Sequence, residues 1–236
     1  GGYTCFNIQF TPTNIRGHTQ NGTFFWIVND SSRGDRIEEY YLNGTYVRQL
    51  IDVSSYTNDT EAITQNGTFF WVTSATAYRF YMNGTFFDTH FSASAAIYGI
   101  TTNNTFIWIT DNINQSVKQY YMNGTPTNNN FSLSAQTTSP IGLTQNGTYF
   151  WVGDNNGNGI YQYYMNGTFF SNPFNTQTSA GIVNPHGITK TSSYFYISTA
   201  SNDSITEYYA TNVTCTYVSG DWNISVSDNC ILNTDT

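Results

Sequence analysis

The segment Ile141–Asn155, IGLTQNGTYFWVGDN, is followed from Tyr161 by YQYYMNGTFF, and this pair of phrases recurs along the whole chain. Its copies are RGHTQNGTFFWIVND from Arg16, EAITQNGTFFWVTSA from Glu61, YGITTNNTFIWITDN from Tyr98 and HGITKTSSYFYISTA from His186. The second phrase reads EEYYLNGTYV, YRFYMNGTFF, KQYYMNGTPT and TEYYATNVTC in those copies. Aligned on Gly17, Ala62, Gly99, Gly142 and Gly187, the repeats are 45, 37, 43 and 45 residues apart. A period near 40–45 with several short strands per unit is that of a β-propeller rather than a helical or leucine-rich solenoid. No segment carries an apolar 3.6-residue period, so no helix is expected.

Within a unit, the Gly-Ile-Thr phrase forms a small first strand able to line a crowded axis. Asn-Gly then marks a hairpin, expected as type I′, in which both central residues take positive φ. FFWVT is an aromatic and β-branched second strand of the kind covered on both faces. A polar loop leads to a third strand such as KQYYM, and another Asn-Gly turn to a ragged fourth. The expected fold is all-β, a five-bladed propeller of four-stranded antiparallel blades in one domain spanning 1–236. Residues 1–15 match the fourth-strand slot that precedes the first unit, since Cys5 stands as far before Gly17 as Phe87 stands before Gly99. They are the expected ring-closing strand, because closure leaves no exposed edge. Cys215 occupies the same slot in the last copy, so residues 215–236 are either an extra hairpin or tail, or a strand exchanged with a neighbour.

Only 9% of residues are charged and the net charge is −8. A chain so poor in Lys and Arg lacks the basic face that nucleic acid or an anionic membrane requires. No apolar run approaches the length of a membrane helix, so no membrane insertion is expected. No signal peptide is visible at Gly1, as in a mature secreted chain. Cys5, Cys215 and Cys230 lie at the chain ends and suit an oxidising compartment. Cys215 with Cys230 would close a local loop, whereas Cys5 with either would clasp the ring, and one thiol is left over. The segment pattern G-I-T-x-N-G-T-F-F-W-V-T-D-N…Y-Y-M-N-G-T-F resembles the NHL-type propeller repeat, in the variants found in archaeal and bacterial surface proteins. The resemblance covers residues 16–215 and implies a fold more than a function.

Fifteen N-x-S/T sequons occur, at Asn21, Asn29, Asn43, Asn58, Asn66, Asn83, Asn103, Asn114, Asn123, Asn130, Asn146, Asn166, Asn202, Asn212 and Asn223. The 29 Asn and 57 Ser plus Thr would give about seven by chance. Hairpin chemistry explains Asn-Gly but not the Thr that follows it in all seven Asn-Gly-Thr copies. Covalent N-glycans are therefore the expected partners, their hydroxyls doing the solubilising work of the missing charges.

Other motifs read as structure. The column Trp26, Trp71, Trp108, Trp151 and Tyr196 suits packing between blades. One tyrosine of each Tyr-Tyr pair should face inward and the other outward. Asp30, Asp111 and Asp154 end second strands, where Asp caps turns, although three at one rim could hold a cation. His18, His90 and His186 lack metal-ligand spacing, and neither a metal nor any other cofactor is expected. Arg33-Gly34-Asp35 is a three-residue match to an integrin tripeptide. With no nucleophile elbow or phosphate loop, no catalytic residues are expected. The expected function is a non-enzymatic, secreted structural or adhesive surface glycoprotein, self-associating head-to-tail as the subunit of a filament or coat. The alternatives are a carbohydrate-binding propeller module and a lactonase-like metal-dependent hydrolase, the latter needing carboxylates converging on the axis.

Overall fold

The computed structural model describes residues 4–7, 14–31, 34–93, 96–175, 184–199 and 203–209, with backbone alone at 4–7, 174, 175 and 209. These residues form a five-bladed β-propeller of four-stranded antiparallel blades, with no helix among them. Blade one is β2 (Ile15–Gln20), β3 (Phe24–Asn29), β4 (Arg36–Tyr41) and β5 (Tyr46–Asp52). Blade two is β6 (Ala62–Gln65), β7 (Phe69–Thr73), β8 (Thr76–Tyr81) and β9 (Phe86–Ser92). Blade three is β10 (Ile97–Thr102), β11 (Phe106–Asp111), β12 (Ser116–Tyr121) and β13 (Pro126–Ser132). Blade four is β14 (Pro140–Gln145), β15 (Tyr149–Asp154), β16 (Gly159–Tyr164) and β17 (Phe169–Asn175). Blade five takes β18 (Pro185–Lys190), β19 (Tyr194–Thr199) and β20 (Ser204–Tyr209) from its own repeat. Its fourth strand is β1 (Thr4–Asn7), antiparallel to β20 from Thr4↔Glu207 to Asn7↔Ser204. The N-terminal strand thus closes its own ring.

The second strands supply the core. Trp26, Trp71, Trp108, Trp151 and Tyr196 are all at most 7% exposed. Each ring turns its edge to the next blade: Trp26 meets Phe70 at 4.9 Å, Trp108 meets Phe150 at 5.3 Å and Trp151 meets Phe195 at 5.4 Å between centroids. Tyr196 meets Phe25 at 5.0 Å, which carries the pattern from blade five to blade one. Where blade three has Ile107 in place of Phe, Trp71 packs on it within one cluster. Edge-to-face geometry is the preferred arrangement for such pairs and adds about 1 kcal/mol each beyond burial.

The first strands meet around the axis, where their small residues touch backbone to backbone. They leave an axial cavity of about 10 Å³, room for about one water molecule. Bulges after Ile15, Ile97, Pro140 and Pro185 interrupt the pairing of first and second strands at the axial glycines.

The turns differ from the type I′ expected of Asn-Gly. In blade one the inner turn joins Asn21 to Phe24 through an N–H of Asn21 to the Phe24 carbonyl. Only Gly22 has positive φ, at 88°, which is the II′ pattern; Asn104 takes that place in blade three at 70°. The outer turn Tyr41–Thr45 closes through Gly44 N–H to the Tyr41 carbonyl and Tyr41 N–H to the Thr45 carbonyl. It is a type I turn with a glycine bulge, Gly44 at 84°. The reason is the asparagine side chain. Asn43 Oδ1 accepts the Thr45 N–H at 3.0 Å, and this Asx bond favours negative φ at Asn, leaving positive φ to the glycine.

Candidate functional site

Four strands running alternately up and down place both hairpin turns of a blade on one face, and the long loops on the other. The turn face therefore carries Asn21, Asn43, Asn66, Asn83, Asn103, Asn123, Asn146 and Asn166, two sequons for each of blades one to four. Each of these side chains is exposed or half-exposed. In the inner turns Oδ1 accepts two backbone N–H groups, as Asn21 does from Thr23 at 3.0 Å and Phe24 at 2.9 Å. In the outer turns it accepts one, as Asn166 does from Thr168 at 3.0 Å. An N-linked sugar replaces a hydrogen on Nδ2 and leaves Oδ1 an acceptor, so turn and sugar are compatible.

The remaining sequons are scattered. Asn58 and Asn114 are exposed in loops of the opposite face, and Asn130 is exposed on β13. Asn29 is 0% exposed at the end of β3, and the fold offers its amide to no sugar. Contrary to expectation, Asn29 is no acceptor site in the folded chain, because its strand-end position opposite Ile15 faces the core. Asn202, Asn212 and Asn223 lie outside the described residues, as do Cys215, Cys230 and the side chain of Cys5.

The three carboxylates expected at one rim are not an equivalent set. Pairing aligns Asn29, Asp111 and Asp154, which face Ile15, Ile97 and Pro140, so Asp30 stands one residue further on. Asp111 is a cap and ion-pair acceptor, taking the Asn114 N–H at 3.0 Å and Lys118 Nζ at 2.5 Å. Burial opposes that carboxylate, but its bonds from Asn114 and Lys118 hold its pKa below the usual range. Asp154 caps the Asn156 N–H. No grouping of His, Cys, Asp and Glu suited to a metal occurs among the described residues. The Arg-Gly-Asp match is not a displayed motif, since Asp35 is 1% exposed and accepts the Thr60 N–H at 2.7 Å.

A different cluster lies at the axis on the long-loop face. The residue before each axial small residue is Arg16, Glu61, Tyr98, Ile141 and His186 in the five repeats. Arg16 reaches Asp30 through Nη2 at 3.1 Å and Glu61 through Nη1 at 3.4 Å. Asn14 Nδ2 donates to the same Asp30 oxygen at 3.0 Å. Burial pushes the Glu61 carboxyl up to about 7, with Arg16 opposing and Asp59 and Asp30 reinforcing. Burial, then the Arg16 charge, holds His186 down to about 4. Burial, then Glu61 and Asp59, raises the Tyr98 hydroxyl. Sequence reading missed this cluster because it followed what the repeats share. The signal was the opposite one: a column that differs in every blade beside a constant small residue.

Glu61 yields a direct prediction. Its folded pKa exceeds the unfolded value of about 4.5, so its contribution is intact below that pH and is lost as pH rises through about 7. Glu61→Gln is therefore expected to gain about 3 kcal/mol relative to wild type at pH 8 and almost nothing at pH 4. Urea unfolding at both pH values measures this, and an equal difference at the two would refute it.

The larger cavity, 310 Å³, is an open groove between blades three and four. Trp108, Gln119, Asn128, Asn129, Phe131 and Met165 line it, with the sequons Asn130 and Asn166 beside them. Amides around aromatic walls suit a neutral, hydroxyl-rich ligand.

No protein-family model matches the chain, and no curated protein matches it. Solved structures do. Virginiamycin B lyase from Staphylococcus aureus superposes with a TM-score of 0.57 at 16% identity, over 87% of this chain and 98% of the lyase. Myxococcus xanthus glutaminyl cyclase gives 0.64 at 11% identity, over 87% and 94%. A chain of the nidogen/laminin complex gives 0.58 at 15% identity, over 86% and 78%. At such identities the likeness extends to the β-propeller fold, which in these neighbours serves enzymes and a protein complex alike.

Proposed function

We propose that this chain is an extracellular N-glycoprotein, an NHL-like propeller with a structural or adhesive rather than catalytic role. The observation that carries the reading is the placement of eight sequons on the turns of one face, with every acceptor side chain open to solvent to some degree. Sugars there would coat the turn face of blades one to four and leave blade five, with the parts of the long-loop face away from Asn58 and Asn114, for protein contacts. Blade five supports that division, since its inner turn reads Thr191-Ser192-Ser193 and carries no sequon. Because β1 already pairs with β20, the Cys215 segment is not needed to complete the ring. Self-association is proposed to be head-to-tail, a contact that generates a filament when it does not close. A lactonase-like reading is disfavoured by an axial cavity of about 10 Å³, too small for a substrate. A carbohydrate-binding reading has the blade three–four groove in its favour.

Mass spectrometry of the native protein tests the proposal. The expected result is a mass well above 26.5 kDa with sugar mapped to the turn-face asparagines and none at Asn29. An unmodified mass overturns it. Binding of a free oligosaccharide that protects the groove from exchange would favour the second reading.

A further inference from the structure

Four exposed tyrosines need an explanation that packing does not supply. Tyr41, Tyr81, Tyr121 and Tyr164 are 46%, 39%, 49% and 38% exposed, half of the large apolar side chains found on the described surface. Each ends the third strand of its blade and stands two residues before an Asn-Gly-Thr sequon. Through each turn exposure alternates: Tyr, Asn and Thr face out, while the Leu or Met and the Gly between them turn inward. The inward side is tight, a Cβ at Gly84 falling 2.6 Å from the Leu50 carbonyl and one at Gly167 2.4 Å from Phe131. Ring and acceptor amide therefore share the outward side of one short hairpin.

A second ring extends each surface. Tyr41 lies against Phe24 at 5.3 Å, Tyr81 against Phe69 at 5.2 Å, Tyr121 against Phe106 at 5.7 Å and Tyr164 against Tyr149 at 5.2 Å. Phe170, 48% exposed, adds a third ring beside Tyr164 at 5.2 Å. A pyranose carries C–H bonds on one face and hydroxyls around its rim. It can cover an aromatic face and leave its hydroxyls in water, since the electron-rich ring face attracts C–H edges.

We propose that these tyrosines are docking platforms for the first sugar of the glycan on Asn43, Asn83, Asn123 and Asn166, so that each sugar folds back on the blade that bears it. The inference rests on the glycoprotein reading above and names what the attached sugar contacts. The sugar shields an apolar surface that would otherwise face water, and its own stacking is made only in the folded hairpin. Glycosylation at these four asparagines thus stabilises the fold as well as solubilising it.

The test uses the full chain secreted from a glycosylating host and a cycle of Tyr164→Leu, Asn166→Gln and the double variant, with occupancy of Asn166 read by peptide mass spectrometry. Removing the glycan is expected to lower the folding equilibrium constant about threefold or more with Tyr164 present. In the Tyr164→Leu background, which keeps only the flanking rings of Tyr149 and Phe170, its removal is expected to lower that constant by a clearly smaller factor. In spectra of the intact glycoprotein, the sugar ring protons at Asn166 are expected to shift upfield under the tyrosine ring current, a readout that needs no variant. An unoccupied Asn166 overturns this proposal together with the glycoprotein reading at that site. An occupied Asn166 with no coupling and no ring-current shift overturns the stacking alone.

Discussion

Replacing Gly99 with valine is expected to abolish the fold or cost more than about 4 kcal/mol, a loss reached only through a named steric or polar fault. A Cβ at Gly99 would fall 2.1 Å from the Ile141 carbonyl oxygen, 2.8 Å from Leu143 N and 2.9 Å from Thr110 Oγ1. Two of those atoms are backbone of the next blade. The third is a hydroxyl that donates to the Ile141 carbonyl at 2.6 Å and ties blade three to blade four. No rotamer change relieves such a clash, so the blades must part, and the ring transmits the shift to its other interfaces. Gly142 and Gly17 stand in the same relation to their next neighbours, with backbone atoms at 2.6 and 2.7 Å. Gly22→Ala provides the contrast. Its Cβ meets nothing within 4 Å, so the only cost is the positive φ, about 1 kcal/mol. Urea unfolding followed by tryptophan fluorescence ranks the two variants. A Gly99→Val protein that unfolds near the wild-type midpoint would show that the first strands are not held in backbone contact.

The second large effect is acid destabilisation centred on His18. This side chain is 3% exposed, lines the axial cavity and has no well-formed hydrogen bond at either ring nitrogen. Burial dominates and holds its pKa at about 3, with the nearby Tyr196 backbone opposing only slightly. In the unfolded chain the same imidazole titrates near 6.5. Its contribution is therefore whole above about pH 6.5 and is lost as pH falls toward 3, where the unfolded chain has taken up a proton that the fold refuses. Each tenfold difference in proton affinity between the two states is worth about 1.4 kcal/mol, so His18 alone accounts for roughly 5 kcal/mol. The total stability of a domain is about 5–15 kcal/mol. His186, held down to about 4, acts in the same direction. Glu61 acts in the opposite one, so the measurement is the difference between wild type and a His18 variant. The other repeats place Ile63, Ile100, Leu143 and Ile188 at this position, and His18→Ile restores that pattern. The variant should match or exceed wild-type stability at pH 7, because it removes a buried imidazole with no well-formed hydrogen bond and only a weak backbone partner at Tyr196. It should be more stable than wild type by several kcal/mol at pH 4. Parallel stability profiles across that range would exclude His18 as the cause.

The propeller was legible because its information is local and repeated. Each strand announces itself by aromatic or β-branched residues between turn residues, and five copies in register remove the ambiguity of any single one. The buried column from Trp26 to Tyr196 and the inward and outward partition of Tyr40 and Tyr41, or Tyr163 and Tyr164, follow from the same pattern with a period of two. So did the N-terminal closing strand, since its spacing to Gly17 copies that of a fourth strand elsewhere.

Other features depended on what the ring brings together. Asn21 and Asn29 are both sequons within one repeat, yet one is exposed at a turn and the other has no exposed surface at a strand end. That outcome belongs to the packing around β3, not to the tripeptide. The turn type was settled by an asparagine side chain choosing the backbone two residues on, a competition that the Asn-Gly pair alone does not resolve. The Arg16, Glu61, Tyr98 and His186 cluster joins residues from four blades, and its titration arises from burial and charges at the axis. The number of blades, the order of their strands and the residues that fill the space between them follow from short-range periodicity and turn chemistry, which the chain carries before it folds. Which asparagines face water and which ionisable groups meet at the axis follow from the closed ring, because solvent exposure and electrostatic coupling exist only once residues some forty positions apart stand side by side.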